Sequence, residues 1–266
     1  MDAIPFLITF FEQIDVFMLI MVRVIGFFLF VPVISGMSIP MQVRLTLAFC
    51  FSAAIFSSGL VVSATFYNSV PGFFMLILVE FLTGVLMGYI LMFIFNIMLF
   101  VGQQIDFKMG FAMMSVMDPL MQIQVPIMGN LFFIAISALL VVTGGLHWFI
   151  EAFFYSYEIL PMGTANIIGN ADLAHFFITH LTLFFMIAVQ IALPVVGALT
   201  LIDISLGIMV KAVPQMNVFV IGMPIKVFVG LFLMLLVMIP TLGWIYNVIF
   251  NRALESMIVL IRGLAQ

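Results

Sequence analysis

From Phe73 to Val101 the chain runs for 29 residues with a single charged side chain, Glu80. A segment this apolar on every face must be buried all round or must face lipid. The same character returns in Val16–Ile34, Leu45–Val62, Ile127–Val142, Phe176–Ile202 and Val218–Phe250. Glycine, proline, serine and asparagine cluster in the breaks SGMSIPMQVR, SATFYNSVPG, GNAD and KAVPQMN, as turn chemistry requires. None of the six blocks alternates apolar and polar residues as the strands of a membrane barrel would. The blocks therefore predict an all-α integral membrane protein. No internal repeat or low-complexity tract divides the chain.

Composition decides where the apolar surface goes. Charged residues make up 7% of the 266, against about 25% in soluble domains. So little charge cannot cover a water-facing surface, which leaves lipid or other subunits. The length accommodates about six spans of roughly 20 residues each. The net charge of −4 is small and there is no Lys/Arg run, so nothing points to a nucleic-acid partner or a polybasic lipid site. One cysteine, Cys50, cannot form a disulfide within the chain and is expected to be packing. The opening MDAIPFLITFFEQID carries Asp2, Glu12 and Asp15 and has no basic n-region. It does not read as a cleaved signal peptide.

The blocks are poor examples of simple spans. The third and sixth exceed what a bilayer core requires. Pro194, Pro224 and Pro240 are expected to interrupt the last two, and Gly144-Gly145 breaks the fourth, which continues as HWFIEAFFYSYEIL. Arg23, Glu80, Asp203, Lys211 and Lys226 lie in or beside apolar runs and should face protein or water. Six spans would put Arg44, Lys108 and Lys211 on one side and Arg252 and Arg262 on the other, which sets no orientation. The helical hairpins therefore read as something other than ordinary membrane-crossing pairs.

Enzymatic constellations are missing: no HExxH, P-loop, GxGxxG or GxSxG occurs. His175 and His180, five apart, do not share a helix face, and His147 marks a helix boundary. Gly84-Val-Leu-Met-Gly88 permits close helix approach. Arg23 and Glu80 have the chemistry of an ion pair, but sequence alone does not pair them. The stretch KMGFAMMSVMDPLM, Lys108–Met121, is the least expected connection. Met109, Met113, Met117 and Met121 recur every fourth residue, with Met114, Gly110 and Phe111 among them. Asp118-Pro119 is a turn or helix-start signal. Taken by itself, the stretch reads as a helix end and a core-packing loop with methionines as filler.

Four stretches together resemble the FliR/SctT family of type III secretion export-gate proteins. They are RVIGFFLFVPVISGMSIPMQVR, VGQQIDFKMGFAMMSVMDP, GGLHWFIEAFFYSYEILPMG and LPVVGALTLIDISLGIMVKAVPQMNVFVIGMPIKVFVG. The last is the most specific, through PQMNVF followed by a glycine, a proline and a lysine. Two departures stand out. Gly145-Leu146-His147 replaces a common Asp-Gly-His, so no role of that Asp carries over. Lys211 stands where many relatives have arginine, and keeps the positive charge.

The resemblance implies a non-enzymatic, cofactor-free structural subunit of the bacterial inner membrane, multi-pass, in the flagellar basal body. It would be similar to a FliP-like part (about residues 1–170) joined to a FliQ-like part (171–266). It would assemble with FliP-like and FliQ-like chains into a helical channel within the basal-body ring. An FlhB-like protein would lie at the entrance and an FlhA-like ring beneath, with unfolded flagellar proteins passing through. The resemblance also places Asp106–Gln122 in the channel lumen as a plug. The sealing residues implied are Met109, Gly110, Phe111, Met113, Met114, Met117, Asp118, Pro119 and Met121. Candidates for subunit contacts or intramembrane polar roles are Arg23, Arg44, Glu80, Asp203, Lys211, Pro214, Gln215, Asn217 and Lys226, with Gly84 and Gly88 for helix packing. An injectisome homologue and a small-solute transporter are the alternatives.

Overall fold

The computed structural model describes residues 13–32, 39–59, 70–111, 126–167, 170–215, 217–245 and 250–265. Every regular element among them is helical. In chain order these are α1 (Ile14–Phe30), α2 (Met41–Ser57), α3 (Val70–Met109), α4 (Ile127–Val142), α5 (Gly145–Ile159), α6 (Ala171–Ala212), α7 (Val218–Ile245) and α8 (Asn251–Leu264). The all-α membrane class expected from the blocks holds.

The lengths differ from six equal spans. Among the described residues, three helices are long and apolar enough to cross a membrane, or four if α4 and α5 count as one broken span. Helices α1 and α2 have 17 residues each, while α3 has 40 and α6 has 42. At 1.5 Å per residue the longer two reach about 60 Å, roughly twice a hydrocarbon core. The prolines also behave differently from expectation. Helix α6 continues through Pro194, and α7 through Pro224 and Pro240. A proline removes one amide donor, but a long apolar helix loses more by exposing a whole turn of backbone than by bending around one missing bond. Gly144 does end α4, at φ +71°, a left-handed turn that glycine adopts without strain.

The chain forms two compact units, and α3 and α6 each contribute to both. The first comprises described residues of Met1–Phe93, Leu146–Thr179 and Arg252–Gln266. In it α1 packs on α2 through an aromatic seam. Phe17 lies edge-on to Phe49 and Phe56, with ring centres 5.5 and 6.0 Å apart, and Phe28 lies edge-on to Phe51 at 5.2 Å. Helix α8 buries Ala253, Ser256, Met257, Leu260, Ile261 and Leu264, while Arg252, Glu255 and Arg262 point outward. Its end is tied by Asn166 N donating to Leu264 O at 2.9 Å.

The second unit comprises Ile94–Gly145 and His180–Asn251. Phe95 packs on Phe133 of α4, and Phe100 on Phe185 of α6, with ring centres 5.3 and 5.7 Å apart. Much of its surface is apolar and uncovered: Phe228, Leu235 and Ile239 on α7 are 73%, 64% and 76% exposed. Cys50, expected as packing, is exposed on α2 in the first unit. That helix buries only Ala48, Ser52 and Ile55, so the remaining small apolar positions lie on its outer face.

Candidate functional site

In the first unit, glycines set the geometry. A Cβ on Gly84 would run into the Arg23 carbonyl oxygen, and one on Gly88 would stand 2.5 Å from the Phe27 carbonyl. Opposite them, a Cβ on Gly26 would stand 2.6 Å from the Phe81 carbonyl. Helices α1 and α3 thus cross backbone against backbone, the contact that small residues permit. This crossing brings Arg23 of α1 to Glu80 of α3, one turn before Gly84.

Both side chains are fully buried. Arg23 Nε donates to Glu80 Oε2. The guanidinium also donates to Leu160 O at 3.3 and 3.4 Å, and the backbone N–H of Gly163 donates to Glu80 Oε1 at 2.8 Å. Leu160 directly follows α5, so its carbonyl lies at the negative end of that helix dipole. The Tyr157 ring covers the guanidinium, 4.3 Å from its centre. Gly163 makes the turn that aims its N–H, at φ +75°. A buried ion pair is tolerable when its remaining donors and acceptors are satisfied, and α5 with its following turn does this.

In the second unit a second glycine crossing joins α3 and α4: a Cβ on Gly102 would collide with the backbone of Gly129. One turn on, the buried Asp106 carboxylate accepts from Met128 N at 3.1 and 3.2 Å. At the end of α3, Met109 is completely buried. Its side chain lies against Gly230 of α7, where an added Cβ would come within 2.8 Å. Gly110 then turns the chain at φ +90°, beside Met223 of α7, and its N–H donates to Phe107 O at 3.3 Å. Phe111, half-buried, follows. Met113, Met114, Met117, Asp118, Pro119 and Met121 lie outside the described residues.

The remaining polar candidates divide. Asp203 of α6 and Lys226 of α7 form a partly exposed ion pair in the second unit. Lys211, Pro214, Gln215 and Asn217 are exposed at the α6–α7 turn, where Asn217 O accepts from Val220 N at 3.1 Å. Arg44 is half-buried in the first turn of α2. Among the described residues no group of His, Cys, Asp and Glu is arranged to hold a metal ion.

Residues 14–253 match the family model of bacterial export proteins, family 1. The chain belongs to that family. Its relatives include the flagellar biosynthetic protein FliR of Bacillus subtilis, 28% identical over 91% of this chain and 92% of the relative. The FliR of Escherichia coli is 29% identical over 87% of this chain and 88% of its own length. The surface presentation of antigens protein SpaR of Shigella flexneri is 26% identical over 85% and 87%. The FliR/SctT resemblance of the four motif stretches is thereby established for nearly the whole chain.

Sequence reasoning did not single out Tyr157, Gly26, Asp106 or Gly230. Gly26 stands three residues after Arg23, a small residue on the same face, and so could have been matched to the GxxxG. Asp106 opens the plug range, yet its partner is a backbone N–H, which leaves no side-chain signal. Gly230 is likewise silent, because its role depends on Met109 from another helix.

Proposed function

We propose that this chain is a structural channel subunit of the flagellar type III protein export gate, multi-pass in the bacterial inner membrane at the basal body. The observation that carries the reading is family membership across residues 14–253, with flagellar FliR proteins among the relatives. FliP-like and FliQ-like subunits would complete the channel, an FlhB-like protein would wrap its entrance, and an FlhA-like ring would lie beneath. Unfolded flagellar proteins would pass through, with no catalytic step in this chain. Residues 1–170 would form the FliP-like part and 171–266 the FliQ-like part, a division in keeping with the start of the long helix α6 at Ala171. Long helices with uncovered apolar faces are what a subunit of a larger membrane assembly needs. An injectisome role is the second reading, motivated by the SpaR relative. The FliR proteins of Bacillus subtilis and Escherichia coli match at slightly higher identity, and over slightly more of the chain, than SpaR does.

Within that gate, Lys108–Met121 would be a deformable seal. Unbranched thioethers conform to irregular partners, and apolar constrictions stop ions by excluding water. The buried Met109 and the left-handed Gly110 support this reading, because they anchor the start of the segment on α7. An aspartate at Gly110 would combine a strained backbone with a charge in the apolar constriction. Gly110→Asp is expected to raise ion leak through assembled gates, and unchanged leak would count against the seal.

Co-expression tests the larger claim. The tagged chain should be recovered stably with FliP-like and FliQ-like subunits and poorly without them. A stable isolated monomer that moves a small solute in liposomes would overturn it in favour of a transporter. Charge reversal at Lys211 is expected to reduce recovery of the complex if the Pro214–Asn217 turn contacts neighbours, and normal recovery of all partners would refute that contact.

A further inference from the structure

Two helices of the first unit are patterned unlike the rest of the chain. Helix α3 encloses the charged Glu80 and leaves Phe74 65% exposed, polar inward and apolar outward. Helix α5 does the reverse. It buries Phe149, Ala152, Phe153, Tyr157 and Leu160 just beyond its end. Among its described side chains the exposed ones are His147, Trp148, Glu151, Tyr155 and Glu158, and every one carries a polar group. Neither Glu151 nor Glu158 has an ion-pair partner among the described residues. Helix α8 repeats the pattern: its apolar face is buried and Arg252, Glu255 and Arg262 are exposed, beside one apolar side chain, Val259.

The two helices are tied to one another. Between α5 and α6, Asn166 N donates to Leu264 O at 2.9 Å, and the Asn170 amide donates to Gly263 O at 3.0 Å, both at the end of α8. The first turns of α6 add the exposed Asp172 and His175 directly after Asn170. An apolar face against protein with unpaired carboxylates on the other side is the pattern of a water-covered helix. Hydrocarbon offers such carboxylates no partner. Length bears on the same point. Helix α4 has 16 residues and α5 has 15, each short of the roughly 20 that a span requires. One broken span would need both in the bilayer core, and the charges of α5 take it out.

We propose that the outer faces of α5 and α8 form one water-facing surface of the first unit, and that α4 and α5 do not together cross the membrane. The spans among the described residues are then Val70–Met109, Asp172–Ala212 and Val220–Pro240. This surface does not rest on the proposed gate role, since its charges demand water in any membrane assembly.

The test is cysteine labelling of the complete complex in membranes, with a charged, membrane-impermeant maleimide supplied to both faces. Cys50, the only cysteine, is exposed and is first removed as Cys50→Ser. E151C and E158C then probe α5, E255C probes α8, and L235C and I239C serve as apolar references on α7. A thiol reacts as its thiolate, which forms in water, so the α5 and α8 sites should react at least about tenfold faster than the α7 sites. Total thiol after denaturation puts each rate on an equal amount of protein. If E151C and E158C react no faster than L235C and I239C, the water-facing surface is overturned, whether lipid or a neighbouring subunit covers α5. Fast reaction on α5 with slow reaction at E255C overturns the joining of α5 and α8 into one surface.

Discussion

Glu80 is the residue whose environment is most demanding. Removing it leaves the Arg23 guanidinium buried with only the Leu160 carbonyl and the Tyr157 ring. An uncompensated buried charge of this kind costs about 3–5 kcal/mol. Glu80→Ala should therefore reduce recovery of folded protein sharply, and Glu80→Gln less, since the amide oxygen still accepts hydrogen bonds. Equal, near-wild-type recovery of both in a detergent melting assay would contradict the buried pair. The Asp203–Lys226 pair is partly exposed, and such pairs contribute about 1 kcal/mol or less. Lys226→Glu should lower complex recovery modestly, and the swapped pair Asp203→Lys with Lys226→Glu should restore it. If the swap restores nothing, Lys226 acts on another subunit rather than on Asp203.

The chemistry of Arg23 and Glu80 was visible in the sequence because charges in apolar runs need partners. Their pairing was not, because it depends on where α1 crosses α3. Asp106 shows the opposite case: its partner is backbone, so only the fold reveals its task.

Helix ends carry the next level of organisation. Asn170 caps α6 by accepting from Asp172 N at 3.0 Å and Leu173 N at 3.3 Å, while its amide donates to Gly263 O near the end of α8 at 3.0 Å. One side chain thus joins the start of α6 to the end of α8. Asn170→Ala should destabilise by about 0.5–2 kcal/mol from the cap alone. It should also increase proteolysis near the C-terminus; protection unchanged from wild type would show that α8 is held by its apolar face without this link. That face was legible in principle, since Ala253, Met257, Leu260 and Leu264 recur at helical spacing. It was overshadowed by the far longer apolar blocks before it. Block positions predicted α1 to α4, α6 and α7 well; α4 matches its block, while α3 and α6 run well beyond theirs. Pro194, Pro224 and Pro240 suggested breaks that the helices run through, because a lone proline does not outweigh the backbone bonding of a long apolar helix.

At the scale of the whole molecule, the exposed apolar faces of α6 and α7 are the defining property. Side chains such as Leu193, Leu201, Phe228 and Ile239 are more than 60% exposed, and bilayer lipid alone covers only about 30 Å of a 60 Å helix. The remainder needs protein neighbours, which is why the chain is expected to be stable only within its assembly. Composition announced that need. The sealing function is the central claim, and ion conductance of reconstituted complete gates tests it most directly. Wild-type gates should hold an ion gradient, and gates lacking Phe111–Met117 should dissipate it at equal assembly. Equal conductance of the two would contradict the account.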